Sequence, residues 1–238
     1  ARIRAAVLRS IRSLTFTFCD LTDESVSFLC AAILGSFFAA PPDTEKFKLP
    51  PIGSGGGKAA AGKDAAALPP SFLPQLTQLD LSHNHMTSAA LKPLLRCVVE
   101  RGLLRLSLRG NPLTTADGTT TYDFMREASI LQRLDVGFCI LDTTVVSNMV
   151  DFLPFTTLRE LILDGAELTP KLTGGILSHV QTNQCLTHVS CRFGGASCTA
   201  AFHERLETTL RRNQELRDAK RAKAARRRAR RQRQMESS

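Results

Sequence analysis

Residues Leu76–Thr87 read LTQLDLSHNHMT, and the rest of the chain is interpreted from this phrase. Leucines occupy positions one, four and six, an asparagine occupies position nine, and Met86 occupies position eleven. Leu79 and Leu81 are two residues apart, so in a strand both side chains point to the same buried face. An asparagine in the coil after a strand can turn inward and hydrogen-bond backbone groups of neighbouring turns. The phrase therefore predicts a short strand followed by a coil segment whose backbone groups are hydrogen-bonded by the asparagine.

The same phrase recurs along the chain at a nearly constant spacing. After Leu76 it begins again at Leu103, Leu131, Leu158 and, in degraded form, Leu186, at intervals of 27 or 28 residues. An earlier copy begins at Ile11. Apolar residues at helical spacing between the copies predict one helix per repeat. The predicted helices are Ser25–Phe38, Ser88–Arg101, Thr121–Ser129, Thr143–Leu153 and Lys171–Thr182. Repeats of one strand and one helix predict an α/β solenoid with parallel strands on its concave face and helices on its convex face.

The phrases resemble the leucine-rich repeats of the ribonuclease-inhibitor-like class, over Ile11–Thr22 and from Leu73 to about residue 196. The resemblance implies a horseshoe segment that presents its concave face to a protein and performs no catalysis. Relatives of this class include leucine-rich subunits of ciliary axonemes. The last phrase departs from the pattern, because Val189 and Cys191 replace leucines and Gly194 replaces the asparagine. A weak final repeat is expected where the stack is capped.

Composition divides the chain into five predicted segments. Residues 1–40 hold the first repeat and a preceding helix, 41–72 a Gly/Ala/Pro insertion, 73–198 contiguous repeats, 199–216 a capping helix and 217–238 a basic helical tail. The first 13 residues are basic and lack acids, which fits the helix of a preceding repeat or, alternatively, a mitochondrial targeting helix. The insertion contains GSGGGK, but Ala59 follows the lysine and Ile52 stands where a phosphate loop needs glycine. Its composition favours a flexible loop insertion.

Side chains that alternate with the buried leucines are predicted to point outward on the concave face. They mix arginines, carboxylates and hydroxyl groups, with Ile162 as an apolar residue in the middle. Such a surface suits a polar protein contact; the alternative is a solvated surface whose charges pair with one another. No Ser–His–Asp or Cys–His arrangement fits neighbouring strands, so no enzyme is predicted. The predicted contact residues are Gln78, Asp80, Ser82, Arg105, Ser107, Arg109, Arg133, Asp135, Glu160, Ile162, Asp164, His188 and Arg192.

The seven cysteines are odd in number and lack the spacing of a disulfide framework, which predicts a reducing compartment. Cys19 and Cys139 take the asparagine position, where a buried thiol acts as a small apolar group and weak donor. A second cluster contains Cys185, His188, Cys191, Cys198 and His203. Its spacing is too loose for zinc, and no metal site or cofactor is predicted.

The end of the chain carries the whole net charge of +9. Within residues 219–233 nine side chains are basic and none is acidic, whereas the rest of the chain has 22 basic and 22 acidic residues. A concentrated cationic helix indicates a polyanionic partner, and a localisation signal is the alternative. Most phenylalanines stand among apolar neighbours and are expected in the core. The basic helix has no aromatic residue, so it should follow backbone charge without reading the base sequence. The predicted polyanion-binding residues are Lys220, Arg221, Lys223, Arg226, Arg227, Arg228, Arg230, Arg231 and Arg233.

Together these features predict a non-catalytic, intracellular protein–protein interaction scaffold within a large assembly. The acidic surface of a microtubule, as in a ciliary axoneme, is the first predicted polyanion. RNA in a ribonucleoprotein such as the mitochondrial ribosome is the alternative. No small-molecule substrate is predicted. No apolar run approaches the roughly 20 residues that a transmembrane helix needs, so no membrane span is predicted.

Overall fold

The computed structural model describes residues 10–35, 73–113 and 119–236. The predicted helix before the first repeat, apart from its end, and the predicted Gly/Ala/Pro insertion lie outside these residues.

A single parallel sheet follows the order of the chain through the described residues. Its strands have three residues each: β1 (Ser13–Thr15), β2 (Gln78–Asp80), β3 (Arg105–Ser107), β4 (Arg133–Asp135), β5 (Glu160–Ile162) and β6 (His188–Ser190). The central residues of successive strands are paired in register: Leu14, Leu79, Leu106, Leu134, Leu161 and Val189. The solenoid with parallel strands, predicted from the 27- and 28-residue spacing, is confirmed.

The helices lie between the strands, and their ends are set by caps. They are α1 (Asp23–Leu34), α2 (Leu91–Arg101), α3 (Thr119–Glu127), α4 (Thr143–Phe152), α5 (Pro170–Thr182) and α6 (Ala200–Glu236). The side chains of Thr22, Asp142 and Thr169 accept hydrogen bonds from the first turns of α1, α4 and α5.

The predicted helix ends were wrong where a cap or a proline intervenes. Helix α1 starts two residues before Ser25 because Thr22 caps it, and it ends before Phe38 because Gly35 adopts φ 76°. Pro154 lacks a backbone N–H, and α4 passes there into a 3₁₀ turn, Leu153–Phe155. A further 3₁₀ turn, Ser88–Ala90, precedes α2.

Buried asparagines connect successive repeats, as the sequence predicted. Nδ2 of Asn84 donates to the carbonyl oxygen of Phe16 at 2.7 Å and to that of Leu81 at 2.9 Å. Nδ2 of Asn111 makes the equivalent bonds to Leu81 and Leu108 at 3.0 and 2.7 Å. Each amide therefore satisfies carbonyl groups of its own repeat and of the preceding one.

Two cysteines at the asparagine position behave differently. Cys139 is buried and its Sγ lies 3.0 Å from the carbonyl oxygen of Leu108, while burial raises its pKa to about 11. Cys19 is exposed, so the expectation of a buried thiol was wrong there. Its backbone N–H is instead satisfied by Oδ1 of Asn84, which belongs to the next repeat.

Helix α6 closes the end of the stack and then continues beyond it. Phe202, Leu206 and Leu210 are buried against the last repeat. Asn213 is also buried, and its Nδ2 donates to the carbonyl oxygens of Val180, Asn183 and Leu186 at 2.9, 3.3 and 3.0 Å. This amide satisfies carbonyl groups at the end of α5 and in the following turn, as the asparagines within the stack do. None of the described helices is long and apolar enough to cross a lipid bilayer.

Candidate functional site

The concave face contains a shallow hollow of about 380 Å³ over β1 to β4. A network of paired side chains begins in this hollow and continues along the face to β5. Nη1 of Arg109 lies 3.8 Å from Oδ1 of Asp135 and 3.8 Å from Oδ2 of Asp164. Arg133 reaches Oε2 of Glu160 at 2.5 Å and Oδ2 of Asp135 at 3.8 Å. Each arginine therefore bridges two carboxylates.

Hydroxyl groups extend this network along the face. The Oγ of Ser82 donates to Oδ1 of Asp80 at 2.5 Å and lies 2.7 Å from the Oγ of Ser107. The Oγ of Ser190 donates to Oδ1 of Asp164 at 2.6 Å, and the backbone N–H of Arg192 donates to the same oxygen. Neighbouring repeats are thus connected through side chains as well as through the sheet.

Several residues that were predicted to point outward into solvent are buried. Ser82, Asp135, Ile162 and Asp164 are each 9% exposed or less. Parallel strands lie about 4.8 Å apart, so long side chains on the inner face of a curved sheet cover their shorter neighbours. Ile162 is therefore not an exposed apolar contact, and the alternative of mutually paired charges describes the centre of the face. Arg105, His188 and Arg192 remain exposed, and their contact with a partner stays a prediction.

Asp135 should matter for stability, contrary to its expected surface position. Its Oδ1 accepts a hydrogen bond from the N–H of Gly137 at 3.1 Å, and burial raises its pKa. Asp135→Ala removes the acceptor for that N–H and the carboxylate between two arginines, so we expect a loss of about 1–3 kcal/mol in unfolding free energy. Asp135→Asn should cost less, because the amide oxygen can still accept and a disfavoured buried charge is removed.

Urea titration of Asp135→Ala and Asp135→Asn tests this expectation, and Arg105→Ala on the same face serves as an exposed control. The raised pKa also sets the sign of a pH effect. The folded state holds the proton of Asp135 more tightly than the unfolded state, so this group favours folding at low pH and loses that contribution as pH rises through its raised pKa. Equal costs for Ala and Asn would contradict the role assigned to the acceptor.

A column of residues at the eighth position of the phrase adopts left-handed backbone conformations. Every described copy of the repeat has a positive φ there, between 54° and 77°. Aromatic residues and glycines share the column: Phe18, His83, Gly110, Phe138, Gly165 and Phe193. The aromatic residues hold this conformation without the freedom of glycine, which costs on the order of 1 kcal/mol or more each.

The rings of this column form an exposed row, here called the aromatic ridge, beyond the carboxyl ends of the strands. Phe18 and His83 stack with ring centroids 4.4 Å apart, and Phe138 lies 5.9 Å from Phe193. The guanidinium carbon of Arg109 lies 4.5 Å from the Phe138 ring centroid. Glycines make room for these rings: a Cβ added at Gly110 would lie 2.5 Å from the ring of His83.

The ridge corrects the expectation that most phenylalanines belong to the core. Phe18 and Phe193 are 75% and 79% exposed. The signal was present in the sequence, because Phe18, Phe138 and Phe193 occupy the same place in their phrases. This column lies just beyond each strand, outside the alternation of inward and outward side chains that a strand presents.

The basic tail is the exposed end of α6. All nine predicted cationic residues lie in the helix and are exposed. None of them forms an ion pair with a carboxylate in the described part of the chain. Nζ of Lys220 donates a hydrogen bond to Oε1 of Gln184, a neutral group, at 2.8 Å. The charges are therefore available to a partner.

The cysteines and histidines that raised the question of zinc are not brought together. Within the described residues, no three His, Cys, Asp or Glu side chains are placed to hold a metal ion. Cys191 is buried in the core, and burial raises its pKa to about 12. All seven cysteines are free.

Stacked units of one strand and one helix, joined by buried asparagines, define a leucine-rich repeat solenoid. A family model described as Leucine Rich repeat matches residues 7–30 and 73–95, so the chain contains leucine-rich repeats. Among solved structures, it is similar to the C-terminal domain of tropomodulin from Caenorhabditis elegans. The identity is 15%, the match covers 57% of this chain and 81% of that chain, and the TM-score is 0.48. No curated protein matches the chain significantly.

The repeat fold implies a protein–protein interaction scaffold. Leucine-rich repeat folds are typically non-catalytic.

Proposed function

We propose that this chain is a structural scaffold that attaches to a polyanion through α6 and presents its solenoid to a protein partner. The observation that carries the proposal is the concentration of nine cations on the exposed end of one helix, where none forms an ion pair with any of the described carboxylates. Each phosphate or carboxylate that such a helix neutralises displaces condensed or screening ions, which makes the attachment strong at low salt and weak at high salt.

The attachment is continuous with the folded solenoid. Buried residues of α6 extend to Asn213, and the exposed cations follow in the same helix without an interruption. At 1.5 Å per residue, the part beyond Leu216 extends about 30 Å. A helix held in this way transmits the position of the polyanion to the solenoid, which supports an anchor over a detachable localisation signal.

RNA is the polyanion that the composition of the tail favours. Seven of the nine cations are arginines, whose planar guanidinium groups pair with phosphates and can also stack on the bases of RNA, which an acidic protein surface does not offer. The proposed setting is therefore a ribonucleoprotein, with the mitochondrial ribosome as one example. The acidic surface of a microtubule or axoneme is the second candidate. It is favoured by the absence of aromatic residues from 217–236, since single-stranded RNA is commonly held by base stacking.

We assign the protein contact to those predicted contact residues of the concave face that remain exposed, namely Arg105, His188 and Arg192. The paired charges at the centre of the face support the shape of the solenoid, whereas these three side chains have no ion pair within the described residues.

Ribonuclease treatment of the native assembly distinguishes the two polyanions. If RNA holds the chain, digestion should release it into the supernatant during sedimentation. Co-sedimentation of the purified full chain with polymerised tubulin, in parallel with a labelled RNA, supplies the direct comparison. If the chain stays in the pellet after digestion and binds tubulin polymers in a salt-dependent way, the microtubule becomes the proposed polyanion in place of RNA. Binding to neither would contradict the anchor.

A further inference from the structure

Cationic side chains converge where α6 crosses the amino-terminal ends of the last two strands. Arg159 precedes β5, Gln184 and Cys185 precede β6, and Arg217 and Lys220 project from α6. These five residues line a hollow of about 170 Å³. Since the body of the solenoid supplies three of them, the hollow is a site of the folded chain and not only of the tail.

This junction carries an excess of positive charge. None of the ion pairs in the described part of the chain involves Arg159, Arg217 or Lys220. Burial lowers the pKa of Arg217, and the neighbouring charges of Arg159 and Arg221 lower it further. The carboxylate of Asp218 offsets part of this lowering, and it also accepts a hydrogen bond from Gln214 at 2.9 Å. Like charges in a partly desolvated place are unfavourable unless an anion joins them.

The junction also lies on the face of α6 that contacts the solenoid. Residues three and four apart lie on the same side of a helix. The buried stripe of Leu206, Leu210 and Asn213 continues at this spacing into cationic residues. The continuation contains Arg217, Lys220, Arg227 and Arg231. A chain of negative charges could therefore follow the inner side of the tail and enter the hollow.

We propose that this junction binds a phosphate group of an RNA backbone, gripping it between the solenoid and α6. The proposal rests on the proposed function and adds a defined seat to it. Arg159 and Arg217 supply guanidinium donors, Lys220 supplies a point charge, and the amide of Gln184 supplies a neutral donor. The two non-bridging oxygens of a backbone phosphate can accept bonds from several of these donors together. A bound phosphate here orients the solenoid on the RNA.

Cys185 provides a local reporter, because its thiol is exposed and lines the hollow. Alkylation of the full chain by iodoacetamide is followed peptide by peptide by mass spectrometry, with increasing inorganic pyrophosphate as the probe. We expect pyrophosphate to slow the modification of Cys185 about fivefold or more. The exposed Cys19, in the first repeat, should react at an unchanged rate. Protection should disappear in Arg159→Gln/Arg217→Gln. Equal rates for Cys185 with and without pyrophosphate would overturn the site.

A matched pair of variants tests whether RNA uses the junction. Arg159→Gln/Arg217→Gln removes two charges from the junction, while Arg226→Gln/Arg233→Gln removes two from the opposite side of the tail. We expect the junction variant to bind a labelled RNA roughly tenfold more weakly than the outer variant, with a thermal melt showing that both are folded. Equal weakening of RNA binding in the two variants would contradict the phosphate site at the junction but not the anchoring role of the tail. If the wild-type chain binds tubulin polymers and no RNA, the proposed phosphate site is wrong, although the proposed anchoring role of α6 stands. Binding to neither would contradict both proposals.

Discussion

Replacing Arg226, Arg227, Arg228, Arg230 and Arg231 with glutamine should weaken binding to RNA on the order of a hundredfold at low salt. Removing five phosphate contacts should lower the slope of log affinity against log salt concentration by about four to five. Glutamine has nearly the helix propensity of arginine, and the buried part of α6 ends before these residues, so folding should be unchanged. Fluorescence anisotropy over a sodium chloride series and circular dichroism measure the two properties.

The matched control for this variant lies on the same helix. Arg205, Arg211 and Arg212 are exposed on the part of α6 that packs against the solenoid, among acidic neighbours. Changing these three to glutamine should alter the salt slope little, because they lie outside the dense charge run. If the variant with five arginines replaced still binds RNA normally at low and high salt, the proposed anchoring role is wrong. A targeting signal then becomes the better explanation of the basic run.

The second large effect is expected in the core of the sheet. Leu134 and Leu161 are the paired central residues of β4 and β5, and both are essentially inaccessible to solvent. Leu134→Ala or Leu161→Ala should each lower the free energy of unfolding by about 2–5 kcal/mol, because each leaves a cavity in a close-packed interior. Chemical denaturation measures the change.

The volume-conserving substitution Leu134→Met is the control for this prediction and should cost less than about 1.5 kcal/mol. A cost below 1 kcal/mol for both alanine variants would mean that the leucine layers are not packed in this register.

The repeat architecture could be predicted from the sequence because its causes are local and periodic. Leu79 and Leu81 share a face through the two-residue repeat of a strand, and Asn84 serves the turn that follows directly. Both features depend on only a few neighbouring residues. Recurrence of the phrase then determines which strands are neighbours, and the observed register follows.

The concave network could not be predicted in the same way. Arg109 contacts Asp135 and Asp164, which belong to two successive later repeats. Whether such a side chain points into solvent or across its neighbours depends on the curvature of the sheet, which no single phrase specifies. The junction posed the same difficulty, because Arg159 and Arg217 meet only through the path that α6 takes across the strand ends.

The aromatic ridge differs, since its regularity was visible in the sequence. Phe18, Phe138 and Phe193 stand at the same place in their phrases. The assumption that phenylalanine belongs inside obscured the pattern. A left-handed position just after each strand explains why glycine appears in the same column, and it turns the side chains of the other members outward.

The amide of Asn213 has a thermodynamic consequence for the whole chain. It donates to three carbonyl groups at the end of α5 and in the turn before β6, and it belongs to a helix whose other end is the tail. A polyanion that binds the tail only in its helical form therefore shifts the folding equilibrium of the cap as well, by mass action. Since each repeat of a solenoid is stabilised mainly by its neighbours, this gain should be greatest at β6 and α5 and should fade toward β1. Binding of a polyanion to the tail should therefore make the repeats next to α6 more resistant to local unfolding.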